Sequence, residues 1–235
     1  MSNIINITKE SGIPLIGLAF IGIIARNNNN IIQIRTTTLC NMNCNFCSTD
    51  AGPFSRFHKT QFIVDVNYML EYLKELANYF NQDLIAHIDS VGEPLVYPQL
   101  TELIKGIRKI KQFKEISIVT NGTLLTGYAE KILKEYVDYI DVSIEGIEKD
   151  NDYIRGKGNF QKAVIGIKEL IKTGFPKEKI FLSITLTNKT DLKKIVEYFD
   201  RIGIVNYVIS PYMQFSHTCK ELVTDEVHFF DSFMK

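Results

Sequence analysis

Short apolar runs alternate along this chain with longer segments whose apolar positions recur at helical spacing, a pattern that predicts repeated βα units. The runs predict strands over Ile31 to Thr37, Leu84 to Asp89, Glu115 to Thr120, Tyr139 to Ile144, Lys179 to Leu186 and Val205 to Ile209. The periodic segments predict helices over Val64 to Phe80, Gln99 to Lys111, Tyr128 to Tyr136, Phe160 to Thr173 and Thr190 to Ile202, with a last one from Thr224 onward. Leu70, Leu73, Leu76, Ala77 and Phe80 give the first helix one apolar stripe. Thr190 is the expected N-cap of the fifth. Ahead of the first strand, Gly17 to Ala25 reads as an antecedent strand, joined to it by Arg26-Asn-Asn-Asn-Asn30, whose asparagines tolerate left-handed backbone angles. Strands each followed by a helix make a parallel sheet with right-handed crossovers, which either stays open or curls into a partial barrel.

Composition narrows this picture without redirecting it. A chain of 235 residues with 45% hydrophobic and 23% charged residues can bury one good-sized core, and no repeat or proline-rich linker divides it, so one domain is expected. With 27 basic and 27 acidic residues there is no global field to draw it to nucleic acid or anionic membrane. Lys105, Arg108, Lys109, Lys111 and Lys114 form a basic stripe that reads as a solvated helix face. The apolar stretch from Ile13 to Ala25 falls short of the roughly 20 residues a spanning helix needs and contains Pro14, Gly17 and Gly22, so no membrane association is expected.

The candidate chemistry lies in Cys40, Cys44 and Cys47, spaced C-x3-C-x2-C directly after the first parallel strand. Three thiolates in so short a loop can hold three irons of a four-iron cluster and leave the fourth iron open to a ligand. The alternative is a zinc knuckle, which needs a second ligand pair; His217 and Cys219 form an H-x-C pair, while His58, His87 and His228 are scattered. Disulfide staples are less expected in a chain of this size with four cysteines. In parallel barrels the reactive residues sit on the loops that follow strands, which is where these cysteines fall.

The sequence Cys40-Asn-Met-Asn-Cys44-Asn-Phe-Cys47, with aromatic Phe46 before the third cysteine, resembles the radical S-adenosylmethionine (SAM) superfamily. The resemblance implies an α/β fold, a partial (β/α)6 TIM-like barrel, here with an N-terminal β-hairpin extension in residues 1–30 and the barrel in 31–235. It implies a [4Fe-4S] cluster on Cys40, Cys44 and Cys47, with SAM chelating the open iron and cleaved to a 5′-deoxyadenosyl radical that abstracts hydrogen. Val91-Gly-Glu-Pro94 resembles the superfamily's G-G-E-P motif with valine for the first glycine, and on that likeness Gly92, Glu93 and Pro94 would take the SAM amine. Thr120-Asn121-Gly122 resembles its T-N-G loop, which a plain turn with positive φ at Asn121-Gly122 also explains. Ser143-Ile-Glu145-Gly and Ile154-Arg155-Gly-Lys-Gly-Asn-Phe160 resemble a pattern in which the serine and arginine hold the ribose and carboxylate of SAM, implying those roles for Ser143 and Arg155. The superfamily's use of the end of the sixth strand for adenine implies that role for Tyr212 and Met213, with a core or substrate-pocket role equally open.

The segment from Cys47 to Arg56, with the hairpin and the V-G-E-P loop, is similar to an archaeal tRNA-modifying subgroup that includes the archaeosine-forming lyase. That likeness implies a tRNA substrate presented by a separate partner subunit, since the neutral chain offers no RNA footprint. It also implies a reductase or ferredoxin-type electron donor and a reducing cytoplasm. Two other readings are open: a peptide-modifying maturase, because the S-I-E-G and I-R-G-K-G-N-F segments resemble those enzymes, and a non-catalytic metal-binding scaffold. Cys219 reads as an apolar filler, and His87 and His217 as structural histidines.

Overall fold

The computed structural model describes residues 3–18, 20–128 and 132–224. Its strands are β1 (Asn3–Ile7), β2 (Gly22–Arg26), β3 (Ile31–Arg35), β4 (Thr60–Val64), β5 (Leu84–Ile88), β6 (Phe113–Thr120), β7 (Tyr139–Ser143), β8 (Ile180–Leu186) and β9 (Asn206–Pro211). Its α-helices are α1 (Val66–Phe80), α2 (Leu100–Arg108), α3 (Leu125–Tyr128), α4 (Lys134–Tyr136), α5 (Lys149–Arg155), α6 (Asn159–Lys172) and α7 (Leu192–Asp200). One seven-stranded sheet has the order β2-β3-β5-β6-β7-β8-β9, parallel throughout except for antiparallel β2. This is an α/β fold with a mostly parallel central sheet. Among the described residues nothing pairs β2 with β9, so the sheet has two edges and is not a closed barrel.

The expected hairpin is present. Gly22 pairs with Arg35 and Arg26 with Ile31, and Asn27, Asn28 and Asn29 all take positive φ in the turn between them. Their short side chains make that backbone tolerable.

Strand alternation separates two environments. In β8, Ile180, Leu182, Ile184 and Leu186 are buried in the core, while Phe181, Ser183 and Thr185 point the other way. Leu84, Ala86 and Ile88 of β5 and Ile140 and Val142 of β7 join the same apolar layer under the helices. The opposite face is polar and bonded across strands: Gln33 donates to Asp89, His87 Nδ1 lies 2.8 Å from Ser117 Oγ, and Ser183 donates to Asp141 at 2.7 Å. Each strand thus spends one face on cohesion and leaves the other for a polar interior.

Several expectations change. β1 and β4 form a separate parallel pair that no local pattern marked, with Asn3 opposite Thr60 and Ile7 opposite Val64. Consequently the first parallel strand, β3, is followed by the cysteine loop and β4 before its helix. Of the predicted helix over Tyr128 to Tyr136, Tyr128 closes α3 and Lys134–Tyr136 is α4, while residues 129–131 lie outside the described residues. α5 is a helix where the periodicity predicted none. The N-cap of α7 is Asp191, whose carboxylate accepts from Lys194 N; Thr190 turns back to Thr187. Arg108 leaves the basic stripe to pair with Asp138 and donate from Nε to Tyr136 O at 2.8 Å. The helix expected from Thr224 lies outside the described residues.

Candidate active site

The cysteine loop leaves β3 and is clamped at its base, where Thr38 N–H donates to Phe62 O at 3.0 Å and Thr38 Oγ1 to Gln61 Oε1 at 2.8 Å. Cys47 N–H donates to Cys44 O at 3.3 Å, and Cys40, Cys44 and Cys47 are free and half-buried. Burial pushes the Cys40 thiol up to about 12, with Met42 N–H on its sulfur as a partial offset. Burial also raises Cys44, against the pull of the nearby Arg155 charge.

These thiols suit a soft, multi-metal cation. A thiolate is costly to bury without a compensating charge, and ligation by iron removes that cost. From Cys40 to Cys47 the ionisable donors are thiols alone, which favours iron–sulfur chemistry over hard cations. Among the described residues no three His, Cys, Asp or Glu side chains converge on one ion position. Three thiols on one short loop match the donors that a four-iron cluster takes from a single motif, each on a different iron, so the donor set fits a cluster.

The loop after β5 is pressed onto the start of the cysteine loop. Glu93 N–H donates to Leu39 O at 2.7 Å, and a Cβ on Gly92 would lie 1.8 Å from that same oxygen. Glycine is therefore required at Gly92 by close approach. Val91 stays out of the left-handed region and offers only its carbonyl, to the Thr49 hydroxyl at 3.3 Å, so the missing first glycine costs the loop nothing. Thr49 Oγ1 is in turn 3.2 Å from Cys47 Sγ. Glu93 is buried and accepts from Leu95 N (3.0 Å), Thr120 Oγ1 (2.6 Å) and Asn121 N (2.7 Å). Burial raises its proton affinity in spite of these three donors. Pro94 is buried at the start of the turn that follows.

Asn121 bridges outward: its Nδ2 donates to Asn41 Oδ1 at 2.9 Å, tying the loop after β6 to the cysteine loop. Of the two residues expected at positive φ, Gly122 has it and Asn121 does not. Ser143 ends β7, and Glu145 just beyond it holds Arg155, the last residue of α5, in a two-point ion pair through Nε and Nη2, with Nη2 to Oε1 at 2.9 Å. Arg155 also lies 5.3 Å over the Phe46 ring. Tyr212 sits 6.4 Å from Phe46, its hydroxyl bonded to Thr218 Oγ1 at 2.7 Å, and Met213 is largely exposed.

One cavity of about 690 Å³ collects every site residue predicted from the sequence. Its walls include Cys40, Cys44, Phe46, Cys47, Gly92, Glu93, Pro94, Asn121, Ser143, Arg155, Tyr212 and Met213, together with Arg35, Asp89 and Thr185. It opens at the C-terminal ends of the parallel strands, where such folds place their ligands. Sequence reasoning passed over Glu145, Thr120 and Asn41; Glu145 stood inside the quoted S-I-E-G segment, and its acidic character was the available signal. Cys219 and His217 line a separate hollow on the outer side of the cysteine loop, with His217 Nε2 3.1 Å from Cys47 O.

The profile of the Radical SAM superfamily matches residues 34–206. An uncharacterized protein of Methanocaldococcus jannaschii is 34% identical over 197 residues, covering 79% of this chain and 44% of its own length. A probable GTP 3′,8-cyclase of Methanococcus aeolicus is 28% identical over 180 residues, covering 76% of this chain and 58% of its own. The chain thus spans about half the length of these relatives. Among solved structures, anSMEcpe with bound AdoMet superimposes with a TM-score of 0.69 at 17% identity, over 85% of this chain and 54% of that one, a likeness of fold. The named relatives are cyclases of GTP, which departs from the archaeosine-forming likeness read in the sequence.

Proposed function

The chain belongs to the radical SAM superfamily, and on that premise we propose that it is the SAM-cleaving part of an enzyme that abstracts hydrogen from a purine nucleotide. The superfamily's cofactors are a [4Fe-4S] cluster and SAM, which when bound supply one-electron cleavage of a sulfonium C–S bond. The observation that carries the reading is the meeting, on one cavity, of three thiols and nine further residues, most of them from other loops.

In this reading Cys40, Cys44 and Cys47 hold the cluster. The Gly92–Pro94 backbone, kept in place by the braced Glu93, faces the SAM amine. Ser143 takes ribose, Arg155 lies toward the carboxylate, and Phe46, Asn121, Tyr212 and Met213 bound the remaining surface. Among the described residues no helix is long and apolar enough to cross a membrane. We place the protein in the cytoplasm, served by a ferredoxin-type donor. The purine substrate is supported by the likeness to GTP 3′,8-cyclases and by the tRNA-directed likeness of the sequence. A tRNA would come with a partner subunit, because the chain's net charge is zero.

Anaerobic reconstitution followed by dithionite and SAM tests this. Wild type forms 5′-deoxyadenosine, Cys44→Ala does not, and Cys219→Ala does. Persistent cleavage in Cys44→Ala overturns the ligand assignment. Addition of GTP in one arm and of unmodified tRNA with a cell-extract fraction in the other identifies the form of the purine by which arm raises 5′-deoxyadenosine above the substrate-free level; a rise in neither removes the purine substrate.

A further inference from the structure

The loop after β7 carries a buried charge pair that no part of the reading above uses as a pair. Glu145 is 1% exposed and grips Arg155 along the Nε–Nη2 edge, while its own N–H is fixed by Asn151 Oδ1 at 3.0 Å. Arg155 is buried as well, and the cysteine loop is bolted to the helix that ends on it: Asn45 N–H donates to Ile154 O at 3.0 Å and Asn45 Nδ2 to Tyr153 O at 3.0 Å. The guanidinium consequently sits over Phe46, between the second and third cysteines, and faces the same cavity as their thiols.

A buried pair of this kind contributes little net stability compared with apolar side chains of the same shape. Its effect falls instead on whatever charge shares the enclosure, and the charges opposing the burial of Arg155 are those of Cys44, Cys40, Glu93 and Cys47. A guanidinium keeps its proton in such a site, so the positive charge is permanent. Nearby net charge is one of the protein's means of setting a cluster's reduction potential.

We propose that Glu145 is a positioning residue that holds Arg155 against the cysteine loop, and that the pair sets the potential at which the bound cluster accepts its electron. The inference rests on the cluster reading above. Removing the positive charge leaves the thiolates uncompensated and disfavours a further electron; removing the negative charge does the reverse.

The test is a dithionite titration of the reconstituted full chain without SAM, followed by the electron paramagnetic resonance signal of the reduced cluster, on samples matched for iron content. Arg155→Met is expected to take up its electron at a more negative potential than wild type, and Glu145→Gln at a more positive one. Unmoved midpoints, or shifts of the opposite sign, overturn the inference. Should Glu145→Gln fail to fold, Arg155→Lys decides: it keeps the charge and holds the midpoint nearer wild type than Arg155→Met does, whereas equal shifts overturn the proposal. A wild-type chain that binds no cluster removes the underlying reading as well; a loaded chain with unmoved midpoints removes the inference alone.

Discussion

Glu93 and Glu145 are both buried carboxylates just past the end of a parallel strand, yet they are satisfied in opposite ways. Glu93 takes two backbone N–H groups and one hydroxyl, all neutral and all from its own loop or the end of β6. Glu145 takes a guanidinium from α5. The first arrangement is a brace: it joins two loops and delivers no charge beyond its own, so burial wins and raises its proton affinity. The second fixes a cation, and Arg155 brings that charge to the thiols. Two acidic residues in equivalent positions therefore do different work, one on geometry and the other on potential.

That contrast can be broken by mutation, and the largest effect is expected at Glu145. Glu145→Ala leaves Arg155 buried and unpaired and should cost about 3–5 kcal/mol in chemical denaturation of the apo protein. Adding Arg155→Met should recover most of that loss, and no recovery would mean the pair is held for its shape. Gly92→Ala places a Cβ against the Leu39 carbonyl and should destabilise by about 3 kcal/mol, because backbone rather than a flexible side chain must move. Glu93→Gln should cost about 1–3 kcal/mol, since an amide NH2 would then face donors that need an acceptor. A loss for Glu93→Gln as large as that for Glu145→Ala would erase the distinction between the two sites.

The smallest effect concerns the polar face of the sheet. Burial raises the carboxyl of Asp141, against the Ser183 hydrogen bond and the attraction of His87. A raised folded-state value means the native state binds the proton more tightly than the unfolded one. Its contribution to stability is full below the unfolded aspartate value and is lost as pH rises through the higher folded value. Denaturation midpoints of the apo protein should fall as pH rises above the unfolded aspartate value, and Asp141→Asn should flatten that part of the slope.

Much of this site was legible along the chain. The three cysteines stand within one loop, so their spacing needs no distant partner to be recognised, and the asparagine run between β2 and β3 announces its own left-handed turn. Motifs that follow strands land at one end of a parallel sheet whatever the loop lengths, which is why the residues named from them face one cavity. The β1–β4 pair was not legible, because its partners lie on either side of the hairpin and the cysteine loop. The choice of Asp191 over Thr190 as the cap of α7 turned on Thr190 finding Thr187 instead.

The order of residues by itself settled which atoms are available as ligands and on which end of the sheet they gather, since both follow from spacing and from the direction of each strand. Tertiary structure alone decided how the buried charges are met. Whether a carboxylate finds N–H groups or a guanidinium depends on what neighbouring loops bring within hydrogen-bond reach, and that reach is short compared with the separation of those groups along the chain.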